Sequence, residues 1–162
     1  MKKIVRNALL PLLRLPLRCV GRSSSMLWLH FGEPHDTTTR DTSAKAKYDW
    51  TMQIQCPWRI SQGTRIVLAY RDFYYSDVPL ASVAVVNKSR SNSVLDSLCA
   101  EFEATPPSVT AVESDDTGNF TVRMTHDYHV EVFPAESMES GKLWRIFEPG
   151  AGGRSFVFPP SG

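Results

Sequence analysis

Between Tyr48 and Cys56 the chain alternates without a break, Tyr48, Trp50, Met52, Ile54 and Cys56 on one side and Asp49, Thr51, Gln53 and Gln55 on the other. Side chains of an extended strand point to opposite faces with a period of two, so this segment specifies a strand with one dry and one wet face. That pattern belongs to antiparallel sheets, because parallel strands are buried on both faces. Pro57 ends or bends the strand, since proline offers no donor to a ladder.

The same period recurs along the chain. Leu27, Leu29 and Phe31 align within Met26 to Phe31. Gln62-Gly63 turns into Thr64 to Tyr70, with Ile66, Leu68 and Tyr70 in phase. Val109 to Glu113, Phe120 to Met124, Tyr128 to Val132, Leu143 to Phe147 and Arg154 to Phe158 continue as a meander. Asp115-Asp116-Thr117-Gly118 and His126-Asp127 supply its turns. Glu33 to Lys47 is polar, threonine-rich and reads as an exposed loop, whereas Ser76 to Ser89 carries no clear pattern. One helix stands out over Ser91 to Ala104, where Val94, Leu98 and Phe102 recur at i, i+4 and i+8 and Leu95 and Cys99 widen the stripe. Ser93 and Asp96 have capping-box spacing, and Thr105-Pro106-Pro107 stops the helix.

These elements predict an α+β fold, predominantly antiparallel sheet, with one main helix packed on it. An internal echo leaves open two duplicated half-sheets joined by the helix. Two strands, a Trp-Arg-Ile and a further strand occur in that order around Trp58-Arg59-Ile60 and again around Trp144-Arg145-Ile146. The predicted organisation is a basic, apolar segment 1–14 packed on the domain, a single domain over 15–158, and a frayed tail at 159–162.

With 162 residues, 42% of them hydrophobic, the chain can bury a core as one domain. A net charge of +1 argues against a dedicated nucleic-acid binder. The charge is unevenly placed: Lys2, Lys3, Arg6, Arg14, Arg18 and Arg22 precede the first acid, Glu33, while Glu101 to Glu148 is strongly acidic. Lys2-Lys3 followed by Ala8-Leu9-Leu10-Pro11-Leu12-Leu13 mimics a secretory signal, but Arg14 and Arg18 interrupt the apolar run. The segment is too short for a transmembrane span, and retention in the cytoplasm is expected; a cleaved or membrane-surface segment is the alternative. Cys19, Cys56 and Cys99 are odd in number and show no CxxC spacing, which reads as buried free thiols.

Catalytic signals are weak. His126-Asp127-Tyr128-His129 would ligate a metal only if the turn curled around it, and reads as a polar hairpin turn. No nucleophile elbow occurs, and Gly150-Ala151-Gly152-Gly153 lacks the lysine of a phosphate loop. No cofactor is expected. Arg59 and Arg145 each follow a tryptophan and point away from it, toward solvent, a partner or an acid of the neighbouring strand. Arg71-Asp72-Phe73-Tyr74-Tyr75 sets a charge pair beside three aromatics of the kind enriched at interaction hot spots. Arg59, Arg71, Asp72, Tyr74, Tyr75 and Arg145 are therefore the candidate interaction residues.

The runs Leu27-Trp28-Leu29-His30-Phe31-Gly32-Glu33, Met52-Gln53-Ile54-Gln55-Cys56-Pro57-Trp58-Arg59-Ile60, Arg71-Asp72-Phe73-Tyr74, Val132-Phe133-Pro134 and Trp144-Arg145-Ile146-Phe147 resemble a family of uncharacterised small bacterial proteins. The resemblance spans about Leu15 to Phe158, is specific around Gln55 to Ile60, and implies that Leu15 to Arg22 belongs to the domain. It brings no activity, so no catalytic residue carries over. Sheet-rich bacterial proteins of this build look like immunity proteins that neutralise a toxin, an analogy of fold. The expectation is a non-enzymatic interaction module with a protein partner, such as a co-encoded toxin. The rival expectation is a small-molecule or enzymatic domain with a pocket lined by Trp58, Tyr70, Tyr74 and Trp144, where His30 or His126 meets an acid.

Overall fold

The computed structural model describes residues 1–35, 47–74, 90–137 and 141–160. Among these residues the chain forms two five-stranded antiparallel sheets and two α-helices. Helix α1 (Lys2–Leu9) runs through a 3-10 turn (Leu10–Leu12) into strands β1 (Leu17–Ser23), β2 (Met26–His35), β3 (Lys47–Ile54), β4 (Trp58–Gln62) and β5 (Arg65–Ala69). Helix α2 (Arg90–Ala104) opens the second series, β6 (Val109–Ser114), β7 (Phe120–Met124), β8 (Tyr128–Val132), β9 (Trp144–Phe147) and β10 (Ser155–Phe158). No helix among the described residues is long and apolar enough to cross a membrane.

The first sheet has the order β1-β2-β3-β9-β10 and the second β5-β4-β8-β7-β6. Each sheet therefore takes three strands from one half of the chain and a hairpin from the other. The exchange is reciprocal in register: Ile54, Gln53 and Met52 of β3 face Trp144, Arg145 and Ile146 of β9, while Val132, Glu131 and Val130 of β8 face Trp58, Arg59 and Ile60 of β4. Both first strands are bulged at the matching place, Arg18 in β1 and Thr110 in β6. The two halves meet backbone to backbone, where Leu17 N–H donates to Pro107 O at 2.8 Å and Val109 N–H donates to Leu15 O at 2.9 Å. Helix α1 packs on β6 and α2 on β1, so the helices are exchanged as well.

The alternation in β3 decides the core. Met52 and Ile54 are wholly buried and Trp50 nearly so, together with Leu27, Leu29 and Phe31 of β2. Phe120 of the second sheet meets Trp144 of the first edge-on at 4.8 Å, and Trp144 stacks on Phe158. Val5, Leu9 and Leu12 bury the apolar side of the N-terminal segment in the same core.

Several local expectations are corrected. β2 continues through Glu33 to His35, because a bulge after Phe31 lets these polar residues keep pairing with β3 as far as Lys47; residues 36–46 of the expected loop lie outside the described residues. Helix α2 begins at Arg90, so Ser93 and Asp96 lie inside it, and Ser97 Oγ donates to Ser93 O. In β5, Leu68 faces Ile60 and Ile66 faces Ser61, so Val67 is bulged out and the period slips. Leu68 is consequently core and Ile66 is 55% exposed. Tyr70 leaves the strand and starts a 3-10 turn (Tyr70–Phe73).

Two outcomes follow from this architecture. Because neither half contains a complete sheet, co-expressed fragments cut between Tyr74 and Arg90 are expected to co-purify as a folded pair, with each fragment alone unfolded by circular dichroism. Gly118 has φ +90°, and a Cβ there would enter the Phe158 ring, whereas Gly150 (φ +124°) has open space around it. Gly118→Ala should therefore cost about 2–4 kcal/mol in urea unfolding, from backbone strain plus overpacking, and Gly150→Ala only the strain, roughly 1–2 kcal/mol.

Candidate functional site

Ile66 and Tyr74, the two most exposed of the large hydrophobic side chains among the described residues, lie in and just after β5. β5 lies at the edge of the second sheet among the described residues. Its bulge turns Ile66 outward beside the exposed Arg65. The following 3-10 turn is closed by Asp72, whose Oδ2 accepts from Ala69 N–H at 2.8 Å. Phe73 anchors the turn: its ring meets Trp58 edge-on at 5.0 Å, and the Arg22 guanidinium lies 5.1 Å above it. Arg71 and Tyr74 are thereby held at the surface, with Tyr74 57% exposed. The Tyr70 and Tyr74 hydroxyls hydrogen-bond at 3.0 Å, and the proton Tyr70 holds in this contact, together with burial, pushes Tyr70 up to about 12. Arg90, at the start of α2, comes within 4.0 Å of Asp72. Between β5 and α2 runs a groove of about 400 Å3 lined by Arg65, Ile66, Val94, Leu98, Glu101 and Tyr128. At its floor Phe102 meets Tyr128 edge-on, and the Tyr128 hydroxyl donates to Glu101 at 2.8 Å.

Of the expected interaction residues, the fold gathers Arg71, Asp72 and Tyr74 in this turn; Tyr75 lies outside the described residues. Asp72 has a structural task in closing the turn. Arg59 and Arg145 are placed in different sheets. Arg59 forks onto Glu131 of β8 with contacts of 2.5 and 2.8 Å, over the Phe133 ring. Arg145, at the equivalent register position, donates to Gln53 Oε1 at 2.6 Å and lies over Phe147. Both guanidinia are thus engaged across strands on the faces opposite their tryptophans.

The aromatic pocket of the rival reading is not assembled. Trp58 and Trp144 are 2% and 1% exposed and sit in the core with different neighbours, while Tyr70 and Tyr74 pair at the surface. His30 bonds Thr51 Oγ1 at 3.0 Å and stacks between Trp28 and Tyr48. His126 and Asp127 turn the chain with φ of 58° and 63°. Among the described residues no three His, Cys, Asp or Glu side chains gather as a metal ion would require.

The thiols depart from expectation. Only Cys56 is fully buried; Cys19 on β1 and Cys99 on α2 are half-buried and face each other with Sγ atoms 2.8 Å apart. Eighty residues separate them, so no spacing rule could have joined them. Arg65, Ile66 and Arg90 were likewise missed, Ile66 because the bulge that exposes it leaves no mark on the alternation.

No family model, no curated protein and no solved structure matches this chain.

The Arg59–Glu131 pair yields a pH prediction. Arg59 holds the Glu131 carboxyl below its ordinary range. A depressed folded value means that the pair stabilises the fold above the unfolded pKa and loses that contribution as pH falls through the folded one. Since Arg59 is 43% exposed, solvent screening limits the pair to about 0.5–1 kcal/mol. Glu131→Gln is expected to cost that much at pH 7 and progressively less below about pH 4, read from urea midpoints across pH.

Proposed function

We propose that this chain is a non-enzymatic protein-binding module, toxin-neutralising by analogy of fold, that engages an acidic protein surface through the β5 edge and the turn after it. One observation carries this reading: Ile66 and Tyr74, both more than half exposed, stand among the exposed arginines Arg65, Arg71 and Arg90. Apolar anchors ringed by cations suit a partner that presents carboxylates around an apolar centre. Aromatic and arginine side chains dominate binding energy at such centres. The cations add steering of the encounter, an effect that weakens as salt rises. The floor's Tyr128–Glu101 bond and Phe102–Tyr128 contact favour the role, because a preformed surface limits the ordering cost of association. A bacterial source and a cytoplasmic setting belong to the same reading.

We also read the two halves as a duplicated unit. Support comes from the repeated Trp-Arg-Ile, the equivalent registers of β3–β9 and β8–β4, and the matching bulges.

The test is calorimetric titration with the protein encoded beside this one. Tyr74→Ala and Ile66→Asp are expected to weaken binding at least tenfold, while Arg65→Glu with Arg71→Glu slows association and flattens its salt dependence. Arg123→Ala, on the outer face of the second sheet, should leave affinity unchanged. Wild-type affinity in folded Tyr74→Ala and Ile66→Asp variants would move the interface elsewhere, and absence of any complex would sink the proposal.

A further inference from the structure

The geometry points to Cys19 and Cys99 as a redox pair that closes into a disulfide by exchange with a low-molecular-weight disulfide, tying β1 of the first half to α2 of the second. The sulfurs are 2.8 Å apart, against about 2.05 Å for an S–S bond, so small side-chain rotations suffice to join them. Both thiols line an open depression of about 400 Å3, together with Arg18, Glu33, Tyr48 and Glu103, which gives a small disulfide access to them. The pairing is selective, because Cys56 is fully buried.

The two sulfurs are not equivalent. Cys99 Sγ lies 2.9 Å from Val20 O, and Cys19 lies at 3.7 Å from the same carbonyl. The hydrogen bond between the thiols draws Cys99 down to about 7, while the proton retained on Cys19 is correspondingly harder to remove. Burial and the carboxylates Asp96 and Glu103 oppose ionisation of Cys99, and Arg18, Glu33 and Tyr48 face the pair from the sheet. Cys99 is therefore the attacking thiolate.

The reaction balances as two exchanges. Cys99 Sγ attacks one sulfur of the small disulfide, whose S–S bond breaks to release one thiolate and leave a mixed disulfide on Cys99. Cys19, giving its proton to solvent, then attacks Cys99 Sγ and expels the second small thiolate. Two protein thiols are oxidised, and one disulfide is reduced to two thiols.

The bridge closes a loop of 80 residues, long enough for a large effect on the unfolded chain. The test equilibrates the full-length protein with oxidised glutathione and follows it by intact mass, maleimide labelling and non-reducing peptide mapping. The expected product has lost two hydrogens, labels at one cysteine under denaturing conditions, gives a Cys19–Cys99 linked peptide, and melts higher than the reduced form by roughly 10 °C. Cys56→Ser should behave like the wild type, and Cys19→Ser should stop at the glutathione adduct on Cys99. Three labelled cysteines after oxidation, a bridge through Cys56, or covalent dimers would each overturn the assignment. Because the peptide map is made on the wild-type chain, misfolding of a variant cannot decide the outcome.

Discussion

Everything in this fold depends on the two crossovers that carry the chain from one sheet to the other. Gln55-Cys56-Pro57 takes it from β3 into β4, and the segment after Val132 takes it back from the second sheet to the first. The crossovers lie side by side: Gln55 N–H donates to Leu143 O and Phe133 N–H donates to Pro57 O, both at 2.8 Å. This arrangement makes each five-stranded sheet a composite. The core can be completed only when both halves are present, and loss of either leaves three strands and a stranded hairpin with an uncovered apolar face. The tryptophans of the Trp-Arg-Ile strands sit where the sheets need bulk most, and their neighbouring arginines are driven to the opposite faces by the period of two. Each indole N–H is buried without a hydrogen-bond partner among the described residues. Such a group costs about 1–3 kcal/mol.

The registers of β3–β9 and β8–β4 match, but the grooves beside the two helices differ in what lines them. A groove of about 380 Å3 between α1 and β10 corresponds to the one between α2 and β5. In the first groove the register position of Ile66 is taken by Ser155, and Arg154 before it, at the place of Arg65, lies 5.0 Å over Trp50 and bonds Glu148 at 2.8 Å. That arginine covers apolar surface and is itself neutralised. In the second groove Ile66 is exposed beside Arg65, with Arg90 approaching Asp72 at 4.0 Å, whereas in the first groove the exposed apolar side chain is Ile4 of the helix.

The strands were legible because their physics is local. Alternation over Leu27 to Phe31, Phe120 to Met124 and Tyr128 to Val132 reports burial directly. Over Tyr48 to Cys56 it does so except that Thr51 of the expected wet face is buried and Tyr48 only partly so. Of the expected α2 stripe, Leu95, Leu98 and Phe102 are buried and Val94 and Cys99 partly. What escaped was non-local. The bulge at Val67 reversed the phase of Ile66 without changing the residue pattern, and the continuation of β2 through Glu33 depends on pairing rather than on polarity. The assignment of hairpins to sheets could not be read at all, since the echo around Trp58 and Trp144 says that two units are alike and not that they exchange strands. The surface was legible in part: Arg71 and Tyr74 were marked by composition, but their cationic neighbours Arg65 and Arg90 come from elements on either side of the turn.

The thiol pair joins these themes. Cys19 stands just after the Arg18 bulge of β1, facing His30 across the pair, while Cys99 lies on the flank of the α2 stripe rather than at its centre. Neither position is a core position, so burial alone does not account for a cysteine at either. Their approach exists only because α2 of the second half packs on β1 of the first. The register position that corresponds to Cys19 in β6 is Ala111, where no sulfur is present. A contact between exchanged elements, made by the two thiols and the Val20 carbonyl of β1, constrains how the halves sit together.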